Sequence, residues 1–142
     1  MASDQVRGVD PDTGGEKGLK LASIGDACPK ALMEIAKVYG HGRKKYSRGN
    51  YLSGYTWSSS YDALQRHLLL FWAGEERDGE GVVNELVEQG ADPNDAWQQV
   101  IDSTDDEGHS LYSGLHHMAH AGWHCICLLA FTIRKIGTDD RL

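Results

Sequence analysis

Gly114-Leu-His-His-Met-Ala-His-Ala-Gly-Trp-His-Cys-Ile-Cys-Leu-Leu-Ala-Phe-Thr-Ile-Arg-Lys135 decides the fold class of this chain. The stretch has no proline and no alternation of period two, and it ends in two cations that suit the negative end of a helix. Read as a helix, it places His116, His117, His120 and His124 on one face. Met118, Gly122, Cys125, Ile126 and Leu129 project from the other side, where apolar surface is expected to be buried. A stripe of imidazoles on a largely apolar helix calls for polar partners. The nearest candidates are Glu75 and Asp78, spaced i, i+3 after another apolar run. Together these groups suggest a metal-assisted site built between helices.

Working outward, Pro29 to Tyr46 reads as a first helix, with Leu32, Ile35, Ala36 and Tyr39 at core-facing spacings. Gly40 and Gly42 weaken its end. Residues 47–58 form a loop rich in aromatics, and Ser58, Ser59 and Ser60 offer caps for a second helix over Tyr61 to Ala73. That helix is apolar all round in its C-terminal half, which is the pattern of a central element. Short helices are expected at Val82–Gln89 and Asn94–Ile101, the latter entered through Asp92-Pro93. Asp102 to Ser113 reads as a mobile loop. The expected fold is all-α: a compact bundle of three to four main helices carrying an acidic inserted segment. Residues 1–20 read as a flexible, aperiodic arm, and 21–142 as a single catalytic domain.

The 142 residues suffice for one core without disulfides. Cys28, Cys125 and Cys127 form no C-x-x-C pair and read as reduced, mostly buried thiols in a cytoplasmic protein. No window is long and apolar enough for a membrane span, so no membrane partner is expected. The net charge of −7 is concentrated in residues 81–112, which hold eight carboxylates and no Lys or Arg. That distribution argues against stable nucleic-acid binding, which needs a basic surface.

Each candidate group has an ordinary structural alternative. The histidines are either ligands or hydrogen-bonded core residues. Glu75-x-x-Asp78 suits a hard cation, yet Glu-Glu-Arg-Asp is also a common solvated helix end. Arg66, set among Leu64 and Leu68 to Leu70, would be buried and so paired with a ligand or with Asp62. Lys44, Lys45 and Arg48 fit phosphates or a solvated charge run. Tyr46, Asn50, Tyr51 and Trp57 frame a base or cover the core. No G-x-S-x-G, G-x-x-x-x-G-K-[ST] or G-x-G-x-x-G occurs.

Seven blocks in order resemble one family. They are Gly14-Gly15-x-Lys17; Tyr39-Gly40-x-Gly42-x-Lys44-Lys45-Tyr46 closing the first helix; Asn50; Trp57-Ser58; Arg66-His67-Leu68; Gly74-Glu75-x-x-Asp78; and Ser113-Gly114-Leu115-x-His117-x-Ala119-His120-Ala121. The set is similar to the phage-type dATP/dGTP diphosphohydrolases, relatives of the all-α, MazG-like nucleotide pyrophosphohydrolases, over roughly residues 14–80 and 113–131. The resemblance implies hydrolysis of a purine deoxynucleoside triphosphate to monophosphate and pyrophosphate in the host cytoplasm. It implies a divalent metal, Mg²⁺ or Mn²⁺, with Co²⁺ or Zn²⁺ admitted by the histidines.

Carried over, Glu75, Asp78, His117 and His120 become metal ligands, with Glu75, Asp78 and Arg66 serving catalysis. Lys44, Lys45, Tyr46, Asn50 and Trp57 become nucleotide contacts, and His116 and His124 supporting groups. The chain departs from the pattern at 81–112, which reads as an insertion serving as lid, oligomer contact or regulatory surface. It also carries Tyr51 where Trp is expected, and only Glu34 stands where relatives have E-x-x-E. A homo-oligomer is expected. The rival readings are an HD-type phosphohydrolase, whose adjacent His-Asp pair is absent, and a non-catalytic nucleotide-binding or host-interaction protein.

Overall fold

The computed structural model describes residues 5–20 and 22–142, and it is helical apart from one small sheet. The elements are β1 (Gln5–Val9), β2 (Glu16–Lys20), α1 (Pro29–Gly42), α2 (Trp57–Trp72), α3 (Glu80–Glu88), α4 (Pro93–Asp102) and α5 (His117–Arg134). Single 3₁₀ turns lie at Ile24–Asp26 and Asn50–Ser53. The all-α class holds. Two compact units divide the chain after Leu32.

In the first unit β1 and β2 form an antiparallel hairpin, Gln5 opposite Lys20 and Val9 opposite Glu16, where an aperiodic arm was expected. The Asp10 carboxylate explains the turn. It accepts the N–H groups of Asp12 (3.0 Å) and Thr13 (2.8 Å), and Gly14 takes φ +72° beyond them. Alternation of side chains gives no hint of this hairpin, because its information sits in the turn. Met1–Asp4 of the expected arm, and Leu21, lie outside the described residues.

The second unit is organised by α2 packing on α5. Phe131, Cys127, Ala121, Ala119 and His117 of α5 are buried, as are Ser60 and His67 of α2. Small residues permit close helix approach: a Cβ on Gly122 would stand 2.9 Å from Ile35 Cδ1 of α1. α5 therefore inverts its expected orientation. Its imidazole face is the buried one, while Met118, Cys125, Ile126 and Leu129 are exposed, Leu129 by 58 %. Burying imidazoles is tolerable because they bond to one another and to α2 rather than to water. Cys28 is exposed too, so of the three thiols only Cys127 is buried.

α2 begins at Trp57, four residues before the expected start at Tyr61. Its entrance is tied to the chain segment that follows α5. Trp57 N–H donates to Thr138 O (3.0 Å), and the Asp140 carboxylate accepts Ser58 N–H (3.0 Å), doing the work expected of the serines. Nor is α2 a wholly enclosed element: Leu69, Phe71 and Trp72 are exposed, Trp72 by 87 %. α1 ends at Gly42 and passes through turns to Tyr46.

α3 and α4 form a helical pair with their own small core of Val83, Ala96 and Val100, flanked by Leu86, Trp97 and Tyr112. Asp92 caps α4 by accepting from Asn94 (2.9 Å) and Asp95 (3.2 Å), with Pro93 in the first turn. The 102–113 segment, expected to be a mobile loop, is tied instead. Asp105 accepts from Glu107 and His109, and Leu111 N–H returns to Ser103 O. No helix among the described residues is long and apolar enough to cross a membrane.

Candidate metal centre and adjoining cleft

Gly74, at φ +102°, turns the chain out of α2 into Glu75-Glu76-Arg77-Asp78. This turn is then locked to the residues entering α5. Asp78 N–H donates to Leu115 O (2.9 Å), Gly114 N–H to Asp78 O (3.1 Å) and His117 N–H to Glu76 O (2.9 Å). The Arg77 guanidinium adds a bond from Nε to Gly114 O at 2.8 Å. Backbone pairing thus fixes the carboxylates against the first turn of α5 before any side chain is considered.

The side chains complete the arrangement. Glu75, Asp78 and His117 each present one ligand atom, and these atoms all lie within 4.8 Å of one another. His117 is fully buried, and its Nε2 stands 2.8 Å from Glu75 Oε1. Its Nδ1 stands 2.9 Å from His67 Nδ1. Because an ionised carboxylate only accepts, a neutral His117 donates Nε2–H to Glu75 and leaves Nδ1 as the acceptor for His67 Nδ1–H. Arg66 Nη2 lies 3.5 Å from the remaining His67 nitrogen. A metal held by His117 Nε2 requires the opposite tautomer, with His67 Nδ1 accepting. In that tautomer His67 carries Nε2–H towards Arg66 Nη2, so their 3.5 Å contact is no longer a hydrogen bond.

Asp78 Oδ2 accepts both the N–H (2.8 Å) and the hydroxyl (3.0 Å) of Ser113. Since that hydroxyl has one proton, His120 Nε2 at 2.7 Å donates to Ser113 Oγ. His120 therefore reaches the cluster only through Ser113, two hydrogen bonds from Asp78, and it stacks on His67 at 4.5 Å. Burial pushes His67 down to about 3, assisted by His120 and Arg66, and pushes His120 down to about 4. His124 falls to about 4 from burial and then from Arg66. These imidazoles are neutral near pH 7, the state in which a ring nitrogen offers a lone pair. Two carboxylates with one imidazole form a donor set that fits a hard or borderline divalent cation.

Beside this cluster lies a cleft of about 740 Å³ between the end of α1, the 47–55 loop, the start of α2 and α5. Tyr39, Tyr51 and Trp123 line it as a mutually edge-on trio with ring centroids 5.7–6.0 Å apart. Arg43, Arg48 and Asn50 supply its polar wall. His124 and Ser60 form its inner end, with His124 Nδ1 3.1 Å from Ser60 Oγ and Tyr55 OH 2.5 Å from the same oxygen. The metal cluster itself does not line the cleft. His124 and His67, whose rings stack at 6.0 Å, join the two. His41 near the end of α1 is pushed down by burial and Lys44, while Asp78 pulls it up, so that end lies within electrostatic reach of the cluster.

Of the residues singled out from sequence, Glu75, Asp78 and His117 come together, and Tyr46 and Asn50 line the cleft. Lys44 and Lys45 are exposed outside its lining, Lys45 Nζ lying 5.4 Å over the Tyr46 ring. Trp57 is elsewhere: its Nε1 donates to Ile136 O, and Arg141 covers its ring. Arg66 is exposed rather than buried, and it reaches towards His67 instead of Asp62. His116 pairs with Arg77 through the backbone at the entrance of α5. Sequence reasoning gave no functional role to His67, Ser113 or Trp123, and gave Ser60 only that of a helix cap. Each is marked by contacts between distant parts of the chain: His67 with His117, Ser60 with His124, Ser113 with Asp78 and Trp123 with Tyr39 and Tyr51.

A family model described as "dATP/dGTP diphosphohydrolase, N-terminal" matches residues 11–141. No curated protein and no solved structure matches the chain.

Proposed function

This chain belongs to the dATP/dGTP diphosphohydrolase N-terminal family, and we propose that it hydrolyses purine deoxynucleoside triphosphates to the monophosphate and pyrophosphate with a divalent metal, Mg²⁺ or Mn²⁺. The observation that carries this reading is the convergence of Glu75, Asp78 and His117 beside a cleft lined by aromatic rings and arginines.

When bound, the ion supplies charge neutralisation on the phosphate oxygens and an acidified water. The chain's own residues do the rest. Tyr39, Tyr51 and Trp123 present ring faces and edges for a base, and Asn50 presents a paired donor and acceptor for its edge. Arg43 and Arg48 line the same cleft and offset phosphate charge better placed than Lys44 and Lys45. Glu75 and Asp78 hold negative charge at fixed positions, because Gly81 N–H restrains one oxygen of Glu75 and Ser113 one of Asp78, bonds that do not draw on His117 Nε2.

The experiment is a panel of the four deoxynucleoside triphosphates with Mg²⁺, Mn²⁺ or EDTA, following pyrophosphate release. Metal-dependent turnover of dATP and dGTP at least about tenfold above dCTP and TTP is expected, a difference of about 1.4 kcal/mol. Capture of nucleotide without turnover under any metal would favour the non-catalytic reading instead.

A further inference from the structure

The acidic segment 81–112 reads as an insertion, yet its first helix is built into the carboxylate turn. Glu75 Oε1 faces His117, and Glu75 Oε2 accepts the N–H of Gly81 in the first turn of α3 at 3.2 Å. Gly81 has no side chain, and a Cβ placed there would stand 2.9 Å from that same carboxylate oxygen. The preceding residue fixes the backbone of the turn: Glu80 Oε2 accepts the N–H groups of Glu76 (2.7 Å) and Arg77 (3.3 Å).

α3 is itself anchored. Val83 sits in the small core with Ala96 and Val100. Gly79, at φ +95°, lets Val100 approach so closely that a Cβ would lie 2.7 Å from its Cγ1. The Arg77 guanidinium lies 4.0 Å over the Trp97 ring while its Nε holds Gly114 O, joining α4 to the loop that enters α5.

We propose that the α3–α4 pair is a brace for Glu75, and that Gly81 is a positioning residue: its N–H orients the carboxylate and its missing side chain leaves room for it. The inference rests on the reading of Glu75 as a metal ligand. Hydrogen bonds to a ligating carboxylate set its orientation and tune the affinity of the site. An appended lid or regulatory surface would need no such bond.

Gly81→Ala separates positioning from stability. The site is exposed and helical, so alanine leaves the metal-free protein as stable as wild type or more so. The carboxylate, however, must move. Mn²⁺ titration of the full chain should show binding weakened about tenfold or more, with the melting temperature without metal not lowered. In a Glu75→Gln background, Gly81→Ala should add less than about twofold, since the carboxylate it acts through is gone. Wild-type Mn²⁺ affinity in Gly81→Ala, with weakened binding in Glu75→Gln, would overturn the brace and leave the metal reading standing. Unchanged affinity in Glu75→Gln would overturn both. Affinity and melting temperature falling together in Gly81→Ala would show a merely structural role.

Discussion

Glu75→Gln is expected to lower kcat by about 10³-fold or more while leaving a folded protein. Gln keeps the length and one carbonyl oxygen of Glu75 but removes its charge. It also turns an NH₂ group towards either Gly81 N–H or His117 Nε2, the two partners of the native carboxylate. One hydrogen bond is therefore lost at a half-buried position, which costs about 1 kcal/mol. The much larger effect on turnover follows from loss of a fixed negative charge where a dication must be held. Steady-state kinetics with saturating Mg²⁺, paired with circular-dichroism melting, checks both halves. Near wild-type kcat would remove Glu75 from the centre.

His117→Ala should destabilise the fold by about 3 kcal/mol and abolish metal-dependent turnover. The side chain is fully buried between α2 and α5. Its removal opens a cavity and strands His67 Nδ1, which has no other bonding partner among the described residues, in a buried position. It also frees Glu75 Oε1 from its restraint. Urea unfolding at pH 7 gives the stability change from the shift in midpoint. A variant as stable as wild type would contradict the paired-histidine core. In this protein the groups that would hold the metal are also groups that pack the two main helices, so the two losses should come together.

Helix positions were legible because they are encoded locally. The Asp92-Pro93 cap, the glycines bounding α1 and the unbroken run through α5 each specify an element without reference to the rest of the chain. The orientation of α5 was not legible. Its apolar residues follow helical spacing, but a hydrophobic stripe marks the core only when the opposite face lacks internal partners. Here His117, His120 and His124 find theirs in His67, Ser113 and Ser60. The same reasoning accounts for Arg66 and Trp57. Apolar neighbours along α2 suggested burial of Arg66, but α2 packs on α5 through one face only and leaves Leu69 and Trp72 exposed. Trp57 is held by chain beyond α5, a contact between residues far apart in sequence. Glu75 and Asp78 were recognisable by residue type and spacing, whereas His117 was distinguished from the other histidines of its face only through the family resemblance. The brace on Glu75 was invisible because it is made by the backbone of a glycine.

The central claim is cleavage between the α- and β-phosphates at this centre, and phosphorus NMR of the products tests it most directly. With dATP or dGTP, Mg²⁺ and the wild-type protein, the spectrum should show deoxynucleoside monophosphate and pyrophosphate growing in equal amounts, and neither should grow with Glu75→Gln. Tripolyphosphate with free nucleoside, or orthophosphate with the diphosphate, would contradict it.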